Sequence, residues 1–280
     1  MKIQYFISKN NANLVLKLIG ELDSNSAKYA RETMDELITK YEPKVAVFEL
    51  PELTFIDSAG IGVLIGRYKT LSKCNCSVSI NEPAPAIDKM FKFAGLYSIM
   101  EGTKLPLELT FIDVSEEEQV KKEPTQIEDS IIKNRLYVTV PAIRGNEALL
   151  NQSLLSFVAP FNPTAEELAD LRTIASEATT NAVIHAFDAP AEKNEVSLEA
   201  ELFESEKERM LKFSVSDNGK GIENVALAME PFFTTKPEEE RSGMGFEVMK
   251  AFSDTLNVES TPGKGTKVIM TKNFGKEEQK

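Results

Sequence analysis

The chain has 280 residues, 42% of them hydrophobic, and a formal net charge of −12 at pH 7. This length predicts about two domains of ordinary size. The acidic balance argues against DNA as a partner, because nucleic-acid binding needs a basic face, and it also disfavours an anionic membrane surface. The sequence shows neither an apolar run long enough to span a bilayer nor a signal-peptide pattern.

The only cysteines, Cys74 and Cys76, stand one residue apart. This separation is too short for an ordinary disulfide bond, and with no histidine nearby the pair makes a poor zinc site. We therefore expect both cysteines to be structural and the protein to reside in a reducing cytoplasm.

Strand and helix patterns alternate along the first third of the chain. Alternating apolar and polar residues predict a strand in LVLKLIGEL, and apolar runs predict strands in VAVFEL, in SVSI and near LELTFI. Helical spacing predicts helices in AKYARETMDELITKY, from Ser58 to about Leu71, and in PAPAIDKMFKFAGL, where the prolines suit an opening turn. This order predicts an α/β domain.

The stretch FIDSAGIG, residues 55–62, joins a predicted strand to the helix that starts at Ser58. One interpretation is that Asp57 or Ser58 caps this helix, as short polar side chains commonly do. The other is that the Ser58 hydroxyl lies between small neighbours because another group must reach it. The stretch by itself leaves both interpretations open.

Residues 113–130 break the alternation. They hold seven acidic residues, two lysines and one proline but few apolar residues, which predicts a solvated linker. We therefore predict a first domain over residues 1–112, an acidic linker over 113–133 and a second domain over 134–280.

The second domain is predicted to start with a strand in RLYVTVPAI and to continue with helices in NEALLNQSLLSFV and TAEELADLRTIASEATTNAVIHAF. Paired strands follow in EVSLEAELFE and RMLKFSVSDNG, then a helix from about Met244 and closing strands around NVESTPGKGTKVIM. On the longest helix, Glu177, Asn181 and His185 share one face, where an asparagine beside a carboxylate suits Mg²⁺.

Two further clusters favour a nucleotide pocket. Asp217 leaves a strand and can accept a hydrogen bond from an exocyclic amine, while Gly219 and Gly221 let the backbone approach a base or a phosphate. The last cluster supplies hydroxyls, cations and a glycine-lined helix start for triphosphate oxygens, from Thr234, Thr235, Lys236, Arg241, Ser242, Gly243, Met244 and Gly245. Solvated surface or an ordinary turn explains each cluster taken alone, but chance does not explain three such clusters in this order.

These clusters make residues 134–275 resemble the GHKL ATPases, and EPFFTTKPEEERSGMGFEVM is similar to the anti-sigma serine kinases of spore-forming bacteria. The resemblance implies an α/β sandwich with helices on one face of a mixed sheet, which binds ATP or ADP with Mg²⁺ under a lid at about residues 231–243. It implies that Asn181 holds Mg²⁺ and that Asp217 recognises adenine near Thr266. It also implies that Glu177 is the general base and that Arg241 contacts the γ-phosphate.

Residues 1–112 resemble STAS domains, the anti-sigma factor antagonists, through GELDSNSA at 20–27 and LTFIDSAGIGVLIGRYK at 53–69. In that family a partner kinase phosphorylates the serine after the aspartate, which implies that Ser58 is the phosphoacceptor. A helix dipole tolerates a phosphate at the helix N-terminus, so phosphorylation would change the surface charge beside Asp57 and Asp23 and leave the fold intact.

Together the resemblances imply a protein-serine kinase that converts ATP and protein-serine to ADP and phosphoserine. It would be fused to its own acceptor, Ser58, in a partner-switching circuit that controls a sigma factor. The alternatives are a nucleotide-gated binding switch that sequesters a partner without phosphoryl transfer, and an engineered join of two separate proteins. Histidine autophosphorylation is excluded, because the single histidine, His185, lies inside the first cluster.

The implied partners are a sigma factor, a serine phosphatase that resets Ser58, and a separate STAS antagonist. Asn151 occupies the position at which related kinases carry an arginine that contacts sigma factor and antagonist. This difference puts the binding of both partners in question. Ala59 replaces a second serine common in the antagonists. The helix over residues 146–159 can support a homodimer, and an ordinary core contact explains its apolar residues equally well.

Overall fold

The computed structural model describes residues 1–8, 12–81, 83–94, 96–99, 131–188, 193–205, 209–230 and 243–274. Residues 131–133, predicted as the end of the acidic linker over 113–133, instead begin a strand of the C-terminal domain. The expected strand near LELTFI and residues 113–130 of the linker lie outside the described ranges. So do five predicted site residues: Thr234, Thr235, Lys236, Arg241 and Ser242. Within the described ranges, none of the helices has the length and apolar character needed to cross a bilayer.

The N-terminal domain contains a five-stranded mixed sheet. Its strands are β1 Lys2–Ile7, β2 Asn13–Leu22, β3 Val45–Glu49, β4 Leu53–Ile56 and β5 Ser77–Asn81. Strand β1 is antiparallel to β2, whereas β3 and β4 pair in parallel with β2, and β5 pairs in parallel with β3. Parallel strand pairs need a crossover connection, usually a helix. The helices of this domain are α1 Ala27–Tyr41, α2 Ser58–Lys73, α3 Pro85–Phe93 and α4 Leu96–Ile99.

The C-terminal domain is built on a second five-stranded sheet, in the order β6-β7-β8-β10-β9. Its strands are β6 Ile131–Pro141, β7 Glu195–Glu204, β8 Arg209–Asp217, β9 Thr255–Thr261 and β10 Gly265–Phe274. All four neighbouring pairs are antiparallel, so the expectation of a mixed sheet here was wrong. The reason is that only a few residues separate β7 from β8 and β9 from β10 along the chain, and connections this short can join only antiparallel neighbours.

The helices of this domain are α5 Asn146–Val158, α6 Ala165–Thr180, α7 Val225–Ala228 and α8 Gly245–Phe252. Helix α6 starts at a reciprocal capping box between Thr164 and Glu167. The α-helix predicted to continue to Phe187 ends at Thr180, and Asn181–His185 form a π-helical turn. Such turns are frequent at functional sites because they shift the positions of the side chains along a helix.

Helix α6 lies between the two domains. It packs against α5 and α8 of its own domain, and its other side contacts the N-terminal domain through polar residues. Because both domains cover it, the buried part of α6 includes Ser176, Glu177 and Thr179 as well as apolar residues such as Ile174. Burial of a carboxylate costs free energy unless the group is hydrogen-bonded. The group that hydrogen-bonds to Glu177 therefore indicates the function of this helix.

Candidate functional site

Asp57 caps helix α2. Its Oδ1 accepts a hydrogen bond from the backbone N–H of Gly60 at 3.0 Å, and its Oδ2 accepts one from the N–H of Ser24 at 3.0 Å. Ser58 is therefore the first residue inside the helix, and its hydroxyl is not used for capping. The interpretation of this stretch as a helix cap is confirmed for Asp57, and the Ser58 hydroxyl is left available for another contact.

Ser58 contacts Glu177 of the other domain, 119 residues away in the chain, through two hydrogen bonds. The hydroxyl Oγ donates to Glu177 Oε2 at 2.7 Å, and the backbone N–H donates to Oε1 at 2.8 Å. Glu177 is only 2% exposed. The paired contact orients the carboxylate, and its distance from the hydroxyl lies within the range for proton transfer.

A second carboxylate lies beside this contact. Burial raises the pKa of Asp57 to about 7, and the charges of Glu177 and Asp23 add to the shift, while the hydrogen bonds from Gly60 and Ser24 oppose it. Ser176 Oγ, on α6, also lies 3.5 Å from Asp57 Oδ2. Near neutral pH the docked site therefore takes up a proton more readily than separate carboxylates would.

A cavity of about 640 Å³ opens beside Ser58. This volume falls within the range of small-molecule sites. Eight residues singled out in the sequence line it: Ser58, Asn181, His185, Asp217, Gly221, Gly243, Gly245 and Thr266. The structure therefore brings the three sequence clusters together around one space, with the serine of the other domain at its edge.

Asp217 ends β8 at this cavity. Its Oδ1 accepts hydrogen bonds from the backbone N–H groups of Gly219 at 2.9 Å and Thr266 at 3.3 Å. Burial raises the pKa of Asp217, and these two bonds offset part of the shift. A Cβ atom on Gly219 would lie 2.2 Å from the Ala186 carbonyl oxygen. This glycine is thus needed for a close approach of two backbone segments, in addition to any role toward a ligand.

Gly245, at the start of α8, makes room for two side chains of the first cluster. A Cβ atom there would lie 3.0 Å from Glu177 Oε2 and 3.3 Å from Asn181 Nδ2. Its neighbour Met244 is buried.

Among the described residues there is no cluster of three or more His, Cys, Asp or Glu side chains that could hold a metal. Mg²⁺ usually takes one or two protein oxygens plus substrate phosphates, and the Asn181 amide fits that pattern.

Several residues of the cavity wall were not predicted. They are Lys220, Glu223, Asn224, Phe246 and Pro262. The turn PGKG between the closing strands is a recognisable signal for part of this wall, because Gly263 and Gly265 adopt positive φ values of 75° and 102°. The other residues carry no pattern that separates them from ordinary surface.

The two departures from the family patterns have different surroundings. Asn151 lies on α5, where its side-chain Oδ1 is buried without a hydrogen-bond partner in the described part of the chain. Ala59 is the second residue of α2 and is also buried. One side of α5 faces the N-terminal domain, since Gln152, Leu155 and Ser156 share a cavity with residues of α3 and β4.

Comparison with known proteins identifies both domains. Residues 6–115 match the STAS domain, and residues 166–276 match the family described as histidine kinase-, DNA gyrase B- and HSP90-like ATPase. The ATPase match implies that the C-terminal domain binds ATP.

Half of the chain also matches curated relatives nearly in full. It is 46% identical over 139 residues to the anti-sigma F factor of Clostridium perfringens, a match that covers 50% of this chain and 96% of that protein. The chain belongs to the anti-sigma F factor family. The family member from Caldanaerobacter subterraneus is 47% identical over 131 residues, which cover 47% of this chain and 87% of that protein. In the present member of the anti-sigma F factor family, the ATPase domain is joined to a STAS domain.

Among solved structures, the anti-sigma factor antagonist SpoIIAA in its unphosphorylated form is 27% identical to this chain, with a TM-score of 0.31. That match covers 34% of this chain and 82% of SpoIIAA.

Proposed function

We propose that this protein is an ATP-dependent protein-serine kinase whose substrate is its own Ser58, and that it regulates a sigma factor by partner switching. One observation carries the proposal. The Ser58 hydroxyl donates to the buried carboxylate of Glu177 at 2.7 Å, at the edge of a cavity that Asn181 and Asp217 also line. A module that only bound a partner would not need to hold a hydroxyl against a buried base.

The proposed reaction is a direct transfer. Ser58 Oγ attacks the γ-phosphorus of ATP, an oxygen–phosphorus bond forms as the bond to the β-phosphate oxygen breaks, and ADP leaves. Glu177 Oε2 accepts the hydroxyl proton. Phosphoryl transfer depends mainly on positioning and on neutralisation of charge, and the two hydrogen bonds from Ser58 to Glu177 supply the positioning.

The remaining roles follow from the cavity wall. Asp217 would accept a hydrogen bond from the adenine amino group beside Thr266, because its carboxylate already lies at that end of the cavity. The Asn181 side chain would hold Mg²⁺, which when bound neutralises phosphate charge. Contacts of Thr234, Thr235, Lys236, Arg241 and Ser242 with the phosphates remain predictions.

Partner switching would follow from charge. A phosphoserine carries roughly −1.5 to −2 charges near pH 7, and on Ser58 it would lie against Glu177 and Asp57. This repulsion would release the STAS domain from α6 and free that face for a sigma factor or a separate antagonist. A serine phosphatase is needed to reset Ser58, since the kinase does not catalyse hydrolysis in this scheme. A homodimer through the ATPase domain stays a prediction.

The test is to incubate the full chain with Mg²⁺-ATP, measure its intact mass and map the modified peptide. We expect one phosphate on Ser58, absent from Ser58→Ala and from Glu177→Ala. Ser24→Ala is the matched control, because Ser24 lies on the same surface but its Oγ is near Thr180 Oγ1. A rate per molecule that does not change with dilution would indicate transfer within one chain.

Nucleotide binding without any phosphate on the protein would contradict the kinase proposal. It would favour a nucleotide-gated binding switch. Modification of a serine other than Ser58 would contradict the assignment of the acceptor and leave the kinase activity standing.

A further inference from the structure

We propose, on the basis of the kinase function above, that two reciprocal charged contacts along α6 select this chain's own STAS domain and place Ser58 on Glu177. In the first, the Arg172 contact, the ATPase domain supplies the cation. In the second, the Lys89 contact, the STAS domain supplies it. Each cation meets a carboxylate and an aromatic ring of the opposite domain.

In the Arg172 contact, the guanidinium pairs with the Glu21 carboxylate and lies 4.2 Å from the centre of the Phe55 ring. Arginine combines ion pairing with stacking on an aromatic face, which lysine does less well. Arg172 is a residue of α6, and both of its partners belong to the STAS domain.

The STAS sheet presents those two partners together. Glu21 on β2 and Phe55 on β4 are register partners across the parallel strand pair, and the register shifts between Gly20 and Glu21. Gly20 has a φ of 91°, a left-handed conformation that favours glycine. A bulge of this kind redirects the side chain that follows it, so the receptor for Arg172 is built into the sheet and does not depend on a mobile loop.

The Lys89 contact has the opposite polarity. Lys89 Nζ, on α3, donates to Asp170 Oδ1 at 3.0 Å and to Glu166 Oε1 at 3.2 Å, and it lies 5.0 Å from the centre of the Phe252 ring. Burial by itself lowers the pKa of Lys89, but the bonds to Asp170 and Glu166 outweigh it and raise the pKa overall. The cation thus stays charged in the interface.

Asp170 is also held by contacts within its own domain. Lys272 of β10 donates to Asp170 Oδ2 at 2.9 Å and to the Phe252 carbonyl at 3.0 Å, all within the ATPase domain. Phe93, near the end of α3, adds an edge-on ring contact to Phe252 with centroids 5.7 Å apart. The receptor for Lys89 is therefore as preorganised as the receptor for Arg172.

Reciprocity is what makes the two contacts selective. Residues 1–112 carry equal numbers of acidic and basic residues, and the net charge of −12 lies in the linker and the ATPase half, so attraction between oppositely charged halves does not hold the domains together. A STAS domain must present a carboxylate at one point and an ammonium group at another, at the spacing of Arg172 and Asp170 on α6. Pairs of opposite charges across an interface fix how the two surfaces align and exclude wrong partners more than they add affinity.

Docking can be measured without catalysis. Ser24 Oγ and Thr180 Oγ1, one from each domain, lie 3.5 Å apart, so cysteines at these positions are close enough for a disulfide when the domains are docked. The experiment uses the full chain with Ser24→Cys and Thr180→Cys in a Cys74→Ser background, because Cys74 is exposed. The measured quantity is the rate of cross-linking under mild oxidation, without ATP.

We expect Arg172→Glu and Lys89→Glu each to slow cross-linking by about fivefold or more, because each loses an ion pair and an aromatic contact and gains a repulsion. Combining Arg172→Glu with Glu21→Arg should restore the rate to within about twofold, since the pair is exchanged and not removed. Lys92→Glu is the matched control. Lys92 lies on the same helix, and its ion pair in the described part of the chain is a local one, with Asp88 at 2.7 Å, so the cross-linking rate of Lys92→Glu should match that of the wild-type chain.

Wild-type cross-linking rates in both Arg172→Glu and Lys89→Glu would overturn the proposal. So would a failure of the exchanged pair to recover while thermal unfolding shows it to be folded. The result is independent of the kinase test. If no phosphate is incorporated but charge reversal slows cross-linking, the kinase function fails and the recognition stands. If Ser58 is phosphorylated but reversal has no effect, only the recognition fails.

Discussion

Glu177 and Asp170 are two buried carboxylates on the same helix, and both contact the STAS domain, yet their environments differ. Asp170 receives hydrogen bonds from two ammonium groups, one from each domain, Lys89 and Lys272. Glu177 receives bonds from the hydroxyl and backbone N–H of Ser58, with the Asp57 carboxylate nearby.

The difference separates an anchor from a base. A carboxylate that faces two cations is neutralised and holds what it touches. A carboxylate that faces a hydroxyl can take its proton. On the proposed function, the same α6 surface combines recognition near its start with chemistry near its end, and the predictions below test whether the two functions are separable.

The largest effect is expected for Glu177→Gln. The amide keeps the size of the side chain but cannot accept a proton, so single-turnover transfer to Ser58 should slow by about 10²–10⁴-fold. Intact-mass time courses measure this rate. The disulfide cross-linking assay should show docking close to that of the wild-type chain.

Asp170→Asn is the counterpart. It should slow transfer only by a few fold, about the effect of one weakened ion pair, and the loss should follow the loss of docking. If Asp170→Asn were as inactive as Glu177→Gln while docking normally, the separation of anchor from base would be wrong.

Gly245→Ala should act at the Glu177 and Asn181 side chains and leave the Asp170 contact unchanged. The added methyl group would lie 3.0 Å from Glu177 Oε2, so the base must shift, and small misplacements of reacting groups are costly. We expect transfer to slow by about tenfold, with cross-linking unchanged. A normal transfer rate would show that Glu177 tolerates this displacement.

Docking should weaken as pH rises. The pKa of Asp57 in the docked site is raised to about 7 from 3.8, so the docked state holds a proton that a more solvated carboxyl would release. Raising the pH removes that proton and disfavours docking, by about tenfold at most between pH 6 and pH 8. The cross-linking rate, corrected for thiol ionisation with a reference thiol, measures the trend. Asp57→Asn, which preserves the cap, should abolish it.

The smallest effect is expected for Lys272→Met, which leaves Asp170 with Lys89 but without its internal support. Cross-linking should slow by about two- to threefold. The matched control is Lys267→Met on the same strand, since Lys267 pairs with Glu199 inside the ATPase domain at 2.9 Å. An equal effect of both variants would indicate a general change in β10 and not a change in the anchor.

Much of the fold was predictable from local pattern. The predicted helix AKYARETMDELITKY is α1, and the strand EVSLEAELFE is β7, each over the same residues. Periodicity gives such elements directly because one face of each is buried. The antiparallel pairing of β6 with β7 was missed because it joins segments far apart in the chain, and the π-helical turn at Asn181 was also missed.

The sequence by itself determined the three nucleotide clusters, because turn chemistry and helix spacing are local properties of the chain, and its resemblance to STAS domains singled out Ser58. Only the tertiary structure decided that Asp57 caps α2 while Ser58 contacts Glu177, since that contact joins residues 119 positions apart. It alone revealed the contacts of Arg172 and Lys89 across the two domains as well. A charged residue on a helix looks like solvated surface until another domain covers it, and no local pattern encodes which domain that will be.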